Sequence, residues 1–141
     1  MSTSRPAAPD PATPDAAPAR PHPAFSALVG LTTLGVLLQG LWAGLFLGGT
    51  DNRGTWVDVH DVGAMVTVGL ALLATVAAVV WMRHNRPAVI GTALLFVLLV
   101  IEMGLGQAVD DDSRGPVIVH VPLALLIMGL AVYLPVLARR R

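Results

Sequence analysis

Four long apolar runs limit what this chain can become. They occupy roughly residues 24–48, 57–82, 87–109 and 116–138. A helix needs about 20 apolar residues to cross about 30 Å of hydrocarbon, and each run meets that length. Residues 62–82 and 115–138 contain no Asp, Glu, Lys or Arg. In lipid every backbone polar group must pair within the protein, so uninterrupted apolar runs of this length can only be helices. The expectation is an all-α, integral membrane, up-down-up-down four-helix bundle in the lipid bilayer. Composition agrees: 55% hydrophobic and 13% charged residues, with mean hydropathy +0.71, lie far from a soluble domain. A chain of 141 residues is one domain.

Outside the spans the chain is different. Residues 1–23 hold seven of the eleven prolines, with Ala, Ser, Thr and Asp between them. Such a segment buries nothing, and it is read as a disordered Pro/Ala-rich tail. It does not read as a signal peptide, because the first apolar run is too long for an h-region. The bundle domain is then 24–138, and 139–141 is a basic C-terminus. There is no cysteine, which excludes disulfides and thiolate metal sites. Net charge is zero and no strong basic patch stands out, so nucleic acid is not an expected partner.

All nine basic residues are arginine, and their placement orients the bundle. Arg5, Arg20, Arg83, Arg86, Arg139, Arg140 and Arg141 fall on one side. Arg53 and Arg114 fall on the other, beside Asp51 and Asp110 to Asp112. The positive-inside rule predicts a multi-pass protein of the cell (cytoplasmic) membrane, the bacterial inner membrane, with both termini cytoplasmic. Trp56 and Trp81 flank the second span as interfacial anchors. Pro87 suits a first helical turn, and Pro135 is placed to bend the end of the fourth helix.

Within this frame two histidines repeat. VDVHDVGA (57–64) and VIVHVPLA (117–124) share V-x-V-H-x-x-x-A, and they place His60 and His120 about one turn, or roughly 5 Å, below the outer helix ends. The second and fourth helices run the same way, so the imidazoles share a depth on diagonal helices and can grip something flat. Gln39 precedes His60 by 21 residues and Glu102 precedes His120 by 18, which makes the chain read as two copies of one hairpin. Gln107 adds a further polar group near that depth. Helical steps from His60 pass through Ala64, Thr67, Ala71, Ala74 and Ala78, with Gly63 beside them. Those from His120 pass through Ala124, Ile127 or Met128, and Ala131. Such small stripes are ordinarily packing faces. Gly40 and Gly44 have GxxxG spacing, a pattern for close helix packing or a homodimer.

Glu102 is the one carboxylate well inside an apolar run. A charge there costs on the order of 2.5 to 3.5 kcal/mol, so such residues face polar interiors. Two readings stand beside each other: a functional carboxylate, and a protonated one hydrogen-bonded to Gln39. Asp58 and Asp61 sit where carboxylates are cheap, and are read as favouring the second helix's N-terminus. Asp61 is not expected to partner His60, because adjacent helical residues do not face each other; Gln107 or a backbone carbonyl fits better. For the histidine pair four readings compete. They are bis-imidazole ligation of one haem, a divalent metal completed by Glu102 or Asp61, a proton relay through Glu102, and unliganded interfacial histidines. Mirrored motifs on diagonal helices favour haem, and no compact motif such as HExxH favours a metal.

The motifs LLQGLWAG, VDVHDVGA, LVIEMGLGQ and VIVHVPLA, over about residues 25–138, resemble one four-helix half of the haem A synthase family. They are also similar to small four-helix b-type haem membrane proteins and to small bacterial four-helix membrane proteins of unknown function. The resemblance implies that His60 and His120 ligate the iron of a haem b. It implies no catalytic residue, since the family's glutamate context is not matched and only one of its two halves is present. Arg53 and Arg114 are placed to meet the haem propionates. With His22 in the tail and His84 in the inner turn, no second haem site is apparent, so one haem in the outer leaflet would need a redox partner protein to pass electrons further. The non-haem alternative is a structural or interaction subunit, or a small proton- or metal-linked transporter. Orientation is testable directly, because the chain has no native cysteine. A cysteine at Ser113 should label from outside intact cells, and one in the 83–86 turn only after the membrane is opened. Equal labelling would overturn the topology.

Overall fold

The structure, a computed structural model, describes residues 20–49, 51–109 and 115–139. Four helices follow in order: α1 Pro23–Leu47, α2 Arg53–Trp81, α3 Arg86–Gln107 and α4 Gly115–Arg139. All four are long and apolar enough to cross a membrane. The all-α reading therefore holds, and among the described residues there is no strand. Pro23 and Pro87 stand at the first turns of α1 and α3, where a missing N–H costs nothing. Gly49, with φ 76°, takes the left-handed conformation that turns the chain after α1. Both Pro122 and Pro135 lie inside a continuous α4.

Two boundaries differ from the sequence reading in ways that matter. First, α2 starts at Arg53, with the Trp56 N–H bonding to Asn52 O, so the helix continues back beyond the apolar run. Its first turn holds no acidic residue, so Asp58 and Asp61 lie too deep to serve the N-terminus as expected. Second, the ordered chain reaches into the segment read as tail. His22 is the N-cap of α1, and its ring stacks on Trp81 at 4.4 Å and 15°. An aromatic partner at the end of α2 holds it there. Residues 1–19 of the expected tail lie outside the described residues, as do Arg5, Asp110 to Asp112, Arg114, Arg140 and Arg141.

The helices form a ring in chain order. α1 touches α2 and α4, α3 touches α2 and α4, and neither diagonal pair is in contact. The α1·α2 interface is the most extensive and α1·α4 the least. The molecule is thus two hairpins, α1–α2 and α3–α4, laid against each other. Buried side chains are Phe25, Val29 and Thr32 on α1, and Thr67, Ala71, Ala74, Ala77 and Ala78 on α2. Those on α3 are Ala88, Gly91, Thr92, Leu95 and Leu99, and those on α4 Ile127, Ala131, Leu134 and Ala138. Every one belongs to the two-thirds of its helix nearer the α2–α3 turn. We call this the closed end and the other the open end.

The small stripe expected from His60 is the packing face of α2 at the closed end. Threonines there stay dry because their hydroxyls donate back to their own helices, as Thr67 Oγ1 does to Gly63 O at 2.7 Å and Thr92 Oγ1 to Ala88 O at 2.8 Å. Two threonines also cross between hairpins. Thr33 Oγ1 donates to Ala131 O at 3.3 Å, and Thr75 Oγ1 to Thr92 O at 3.1 Å. Asn85 fastens the closed end. Its Oδ1 accepts from the Ala88 N–H at 3.1 Å and caps α3, while its Nδ2 donates to Ala138 O at 2.9 Å and to Leu137 O at 3.3 Å. Asn85→Ala should cost about 1 kcal/mol from the lost cap, more with the α4 bonds, read as a lower melting temperature in detergent. Asn85→Asp keeps the cap acceptor and should lose less. Equal stability of wild type and Asn85→Ala would remove this fastening.

Candidate functional site

Toward the open end no side chain is fully buried, and a cavity of about 530 Å³ takes the place of a core. That volume is typical of a small-molecule site between bundle helices. All four helices line it: Gln39 and Gly40 from α1, His60 and Ala64 from α2, Glu102 and Gly106 from α3, His120 and Ala124 from α4. The remaining wall is largely Val, Leu, Ile and Met. The structure brings His60, His120, Gln39, Glu102 and Gln107 to this one space. Each hairpin contributes one histidine, and the two histidines lie on the diagonal helices that do not touch.

Depth departs from the expected single turn. With α2 starting at Arg53 and α4 at Gly115, His60 lies about 10 Å and His120 about 8 Å below its helix start. Arg53, expected at the ligand, is exposed in the first turn of α2 and does not line the cavity. Arg114 is outside the described residues.

The polar groups are placed unequally. His120 Nδ1 stands 3.2 Å from Glu102 Oε1, with side chains 21% and 12% exposed. Helix α3 allows this approach because Gly106 has no Cβ: one there would lie 3.3 Å from His120 Cε1. Distance without alignment is not a hydrogen bond. Both Glu102 oxygens, His120 Nδ1, and both the oxygen and nitrogen of the Gln39 amide are buried with no hydrogen-bond partner. The expected Glu102–Gln39 hydrogen bond is absent. Gln39 Nε2 instead lies against Gly63, 2.7 Å from where a Cβ would stand. His60 Nδ1 faces Asp61 Oδ1 at 3.8 Å, an ion-pair distance, although that carboxylate is 67% exposed. Asp61, not expected as a partner, is therefore the carboxylate at ion-pair distance from His60 Nδ1. Gln107 is exposed at the cavity rim.

Some residues that shape the site were not singled out by the sequence reading. Phe46 sets its ring edge-on to His60, centroids 5.5 Å apart at 87°. The Trp42 ring covers Gly63 so closely that no Cβ fits between them. Residues 39, 42 and 46 follow helical spacing, so the face of α1 that carries Gln39 was the available signal. By contrast, Gly40 and Gly44 have nothing within 4 Å of an added Cβ, so their GxxxG spacing serves no packing inside the bundle. The close α1–α2 approach falls at Gly35, against Thr67, and at Gly63. Among the described residues, no group of three or more His, Cys, Asp or Glu stands together as a metal site.

No protein-family model matches the chain, and neither curated proteins nor solved structures give a match. Each buried polar group left unpaired costs about 1 to 3 kcal/mol. Glu102→Leu should accordingly raise the melting temperature of the ligand-free protein, while weakening whatever the cavity holds. Glu102→Gln should leave stability near wild type. A fall in stability with Glu102→Leu would mean that the carboxylate has a structural partner.

Proposed function

We propose that the protein holds one b-type haem between its two hairpins, with His60 and His120 as the residues that would hold its iron, for electron transfer or haem handling. The observation that carries this is the shared cavity. Two imidazoles from non-touching diagonal helices enter one apolar space, and each has a carboxylate at Nδ1, at 3.8 Å for His60 and 3.2 Å for His120. A carboxylate that comes to accept the Nδ1–H would select the tautomer that leaves Nε2 with its lone pair, the form that ligates iron. Residues and group fit: the walls suit a macrocycle, and the unpaired Gln39 amide suits a polar edge. Bound haem would supply a one-electron centre. The chain supplies the rest. Phe46 fixes the His60 ring, Gly106 admits His120 against α3, and the aliphatic wall excludes water.

In this reading the open end faces outward and both termini are cytoplasmic in the cell membrane, as the arginines indicate. Arg53, exposed in the first turn of α2, would meet a propionate outside the cavity lining, and Arg114 is the second cation the sequence offers for one. The single site works with a redox partner protein or within a homodimer. A second reading, a small proton-linked transporter, is favoured by the Glu102–His120 contact alone. A divalent metal has less support, since the third protein ligand is missing among the described residues.

Haem-supplemented purified protein should show a six-coordinate low-spin spectrum. His60→Ala or His120→Ala should abolish it or make it five-coordinate, whereas His84→Ala should leave it unchanged. A protein that stays colourless in excess haem, or a spectrum indifferent to both His60 and His120, would overturn the proposal. Proton uptake into vesicles that is lost in Glu102→Gln would then favour the transporter.

A further inference from the structure

We infer that the cavity is filled sideways from the lipid, through a gap between α1 and α4 at Gly40, by a flat amphipathic molecule that reaches Gln39 with its polar edge. The inference rests on the haem reading for the identity of that molecule, but the gap itself does not depend on it. Four observations bear on it. α1 and α4 share the smallest of the four interfaces, and their hydrogen bond, Thr33 to Ala131, lies on the closed side of the cavity. Beyond it, Leu37 and Gly40 on α1 and Val121 and Leu125 on α4 all line the cavity and are all exposed. A Cβ at Gly40 would meet nothing within 4 Å, so the gap is open where the side chain is missing. The buried, unpartnered Gln39 amide lines the same cavity, its nitrogen toward Gly63 of α2, together with the Glu102–His120 pair.

The opposite gap, between α2 and α3, is less suited to lipid. Of its exposed cavity residues Asp61 and Gln107 are polar and Met65 is apolar. An apolar molecule dissolved in the bilayer meets no polar side chain among the exposed cavity residues of the α1–α4 gap, and a carboxylate and an amide at the α2–α3 gap. Entry is therefore on the α1–α4 side. An unpaired amide beyond an apolar mouth selects molecules carrying a hydrogen-bonding edge over plain acyl chains.

Two rates test this in lipid nanodiscs. The first is haem uptake, followed by the Soret band after haem is delivered in lipid vesicles. Gly40→Leu, whose Cβ meets nothing within 4 Å, should slow uptake at least tenfold. Gly69→Leu, at an exposed α2 glycine outside the cavity with nothing within 4 Å, should leave uptake at the wild-type rate. The second rate needs no haem. A single cysteine at Ala124, on the cavity wall, should react faster with a lipid-soluble maleimide than with a charged one, and Gly40→Leu should slow that reaction at least tenfold. If haem is taken up but neither rate responds to Gly40→Leu, the lateral entry is wrong and the haem reading stands. If haem never binds but the maleimide rate responds, haem is the wrong ligand and the entry stands. If the charged maleimide reacts as fast as the lipid-soluble one, the cavity opens to water and the inference fails.

Discussion

Close packing of small side chains at one end governs this structure. Ala71, Ala74 and Ala78 on α2 and Ala131 and Ala138 on α4 are at most 3% exposed. Within a bilayer there is no hydrophobic gain from bringing one apolar helix against another, since lipid is equally apolar. Association depends on dispersion contacts between well-fitted surfaces, and these need close backbones. Alanine and threonine permit that at the closed end, and the Asn85 side chain ties the N-terminus of α3 to the C-terminus of α4. Toward the open end α2 and α4 carry His60 and His120, and each hairpin presents polar groups to the other. The hairpins do not close there, and the cavity is the consequence.

The polar groups in that cavity are the strongest mark of function. A membrane protein selected only for stability would fill the space with Leu or Phe, and would not bury a carboxylate–imidazole contact and a whole unpartnered amide there. The unpaired amide alone costs about 1 to 3 kcal/mol. The cost is offset when a ligand supplies the missing partners. An empty structural bundle has no such compensation, so the arrangement weighs against unliganded interfacial histidines.

The two hairpins are similar in plan and different in detail, and the differences set the direction of the site. His120 leans on Glu102 from its own hairpin, across α3–α4. His60 has only the exposed Asp61 beside it and a Phe46 edge against its ring. The two imidazoles are about equally covered, 17% and 21% exposed, so the asymmetry lies in their carboxylates, Glu102 at 12% and Asp61 at 67%. A molecule between them would meet a buried carboxylate beside one imidazole and a solvated one beside the other.

Much of this was legible in the sequence, for definite reasons. Four apolar runs free of charge leave helices as the only way to satisfy the backbone in lipid, so the count and type of elements followed at once. The repeated V-x-V-H-x-x-x-A context placed His60 and His120 on alternate helices, and helical geometry then put them on one diagonal. The reach of α2 back to Arg53 was not legible, because a helix can continue beyond its apolar run wherever the backbone hydrogen bonds are free to form. Side-chain partners were not legible either: Glu102 beside His120 instead of Gln39, Asp61 at His60, Trp42 over Gly63 and His22 on Trp81. Each depends on the rotation of one helix against its neighbour, a fraction of a turn that no spacing in a single chain encodes. The same rotations decided that the core closes at one end and leaves the other open, since that outcome belongs to how two faces fit and not to either face alone.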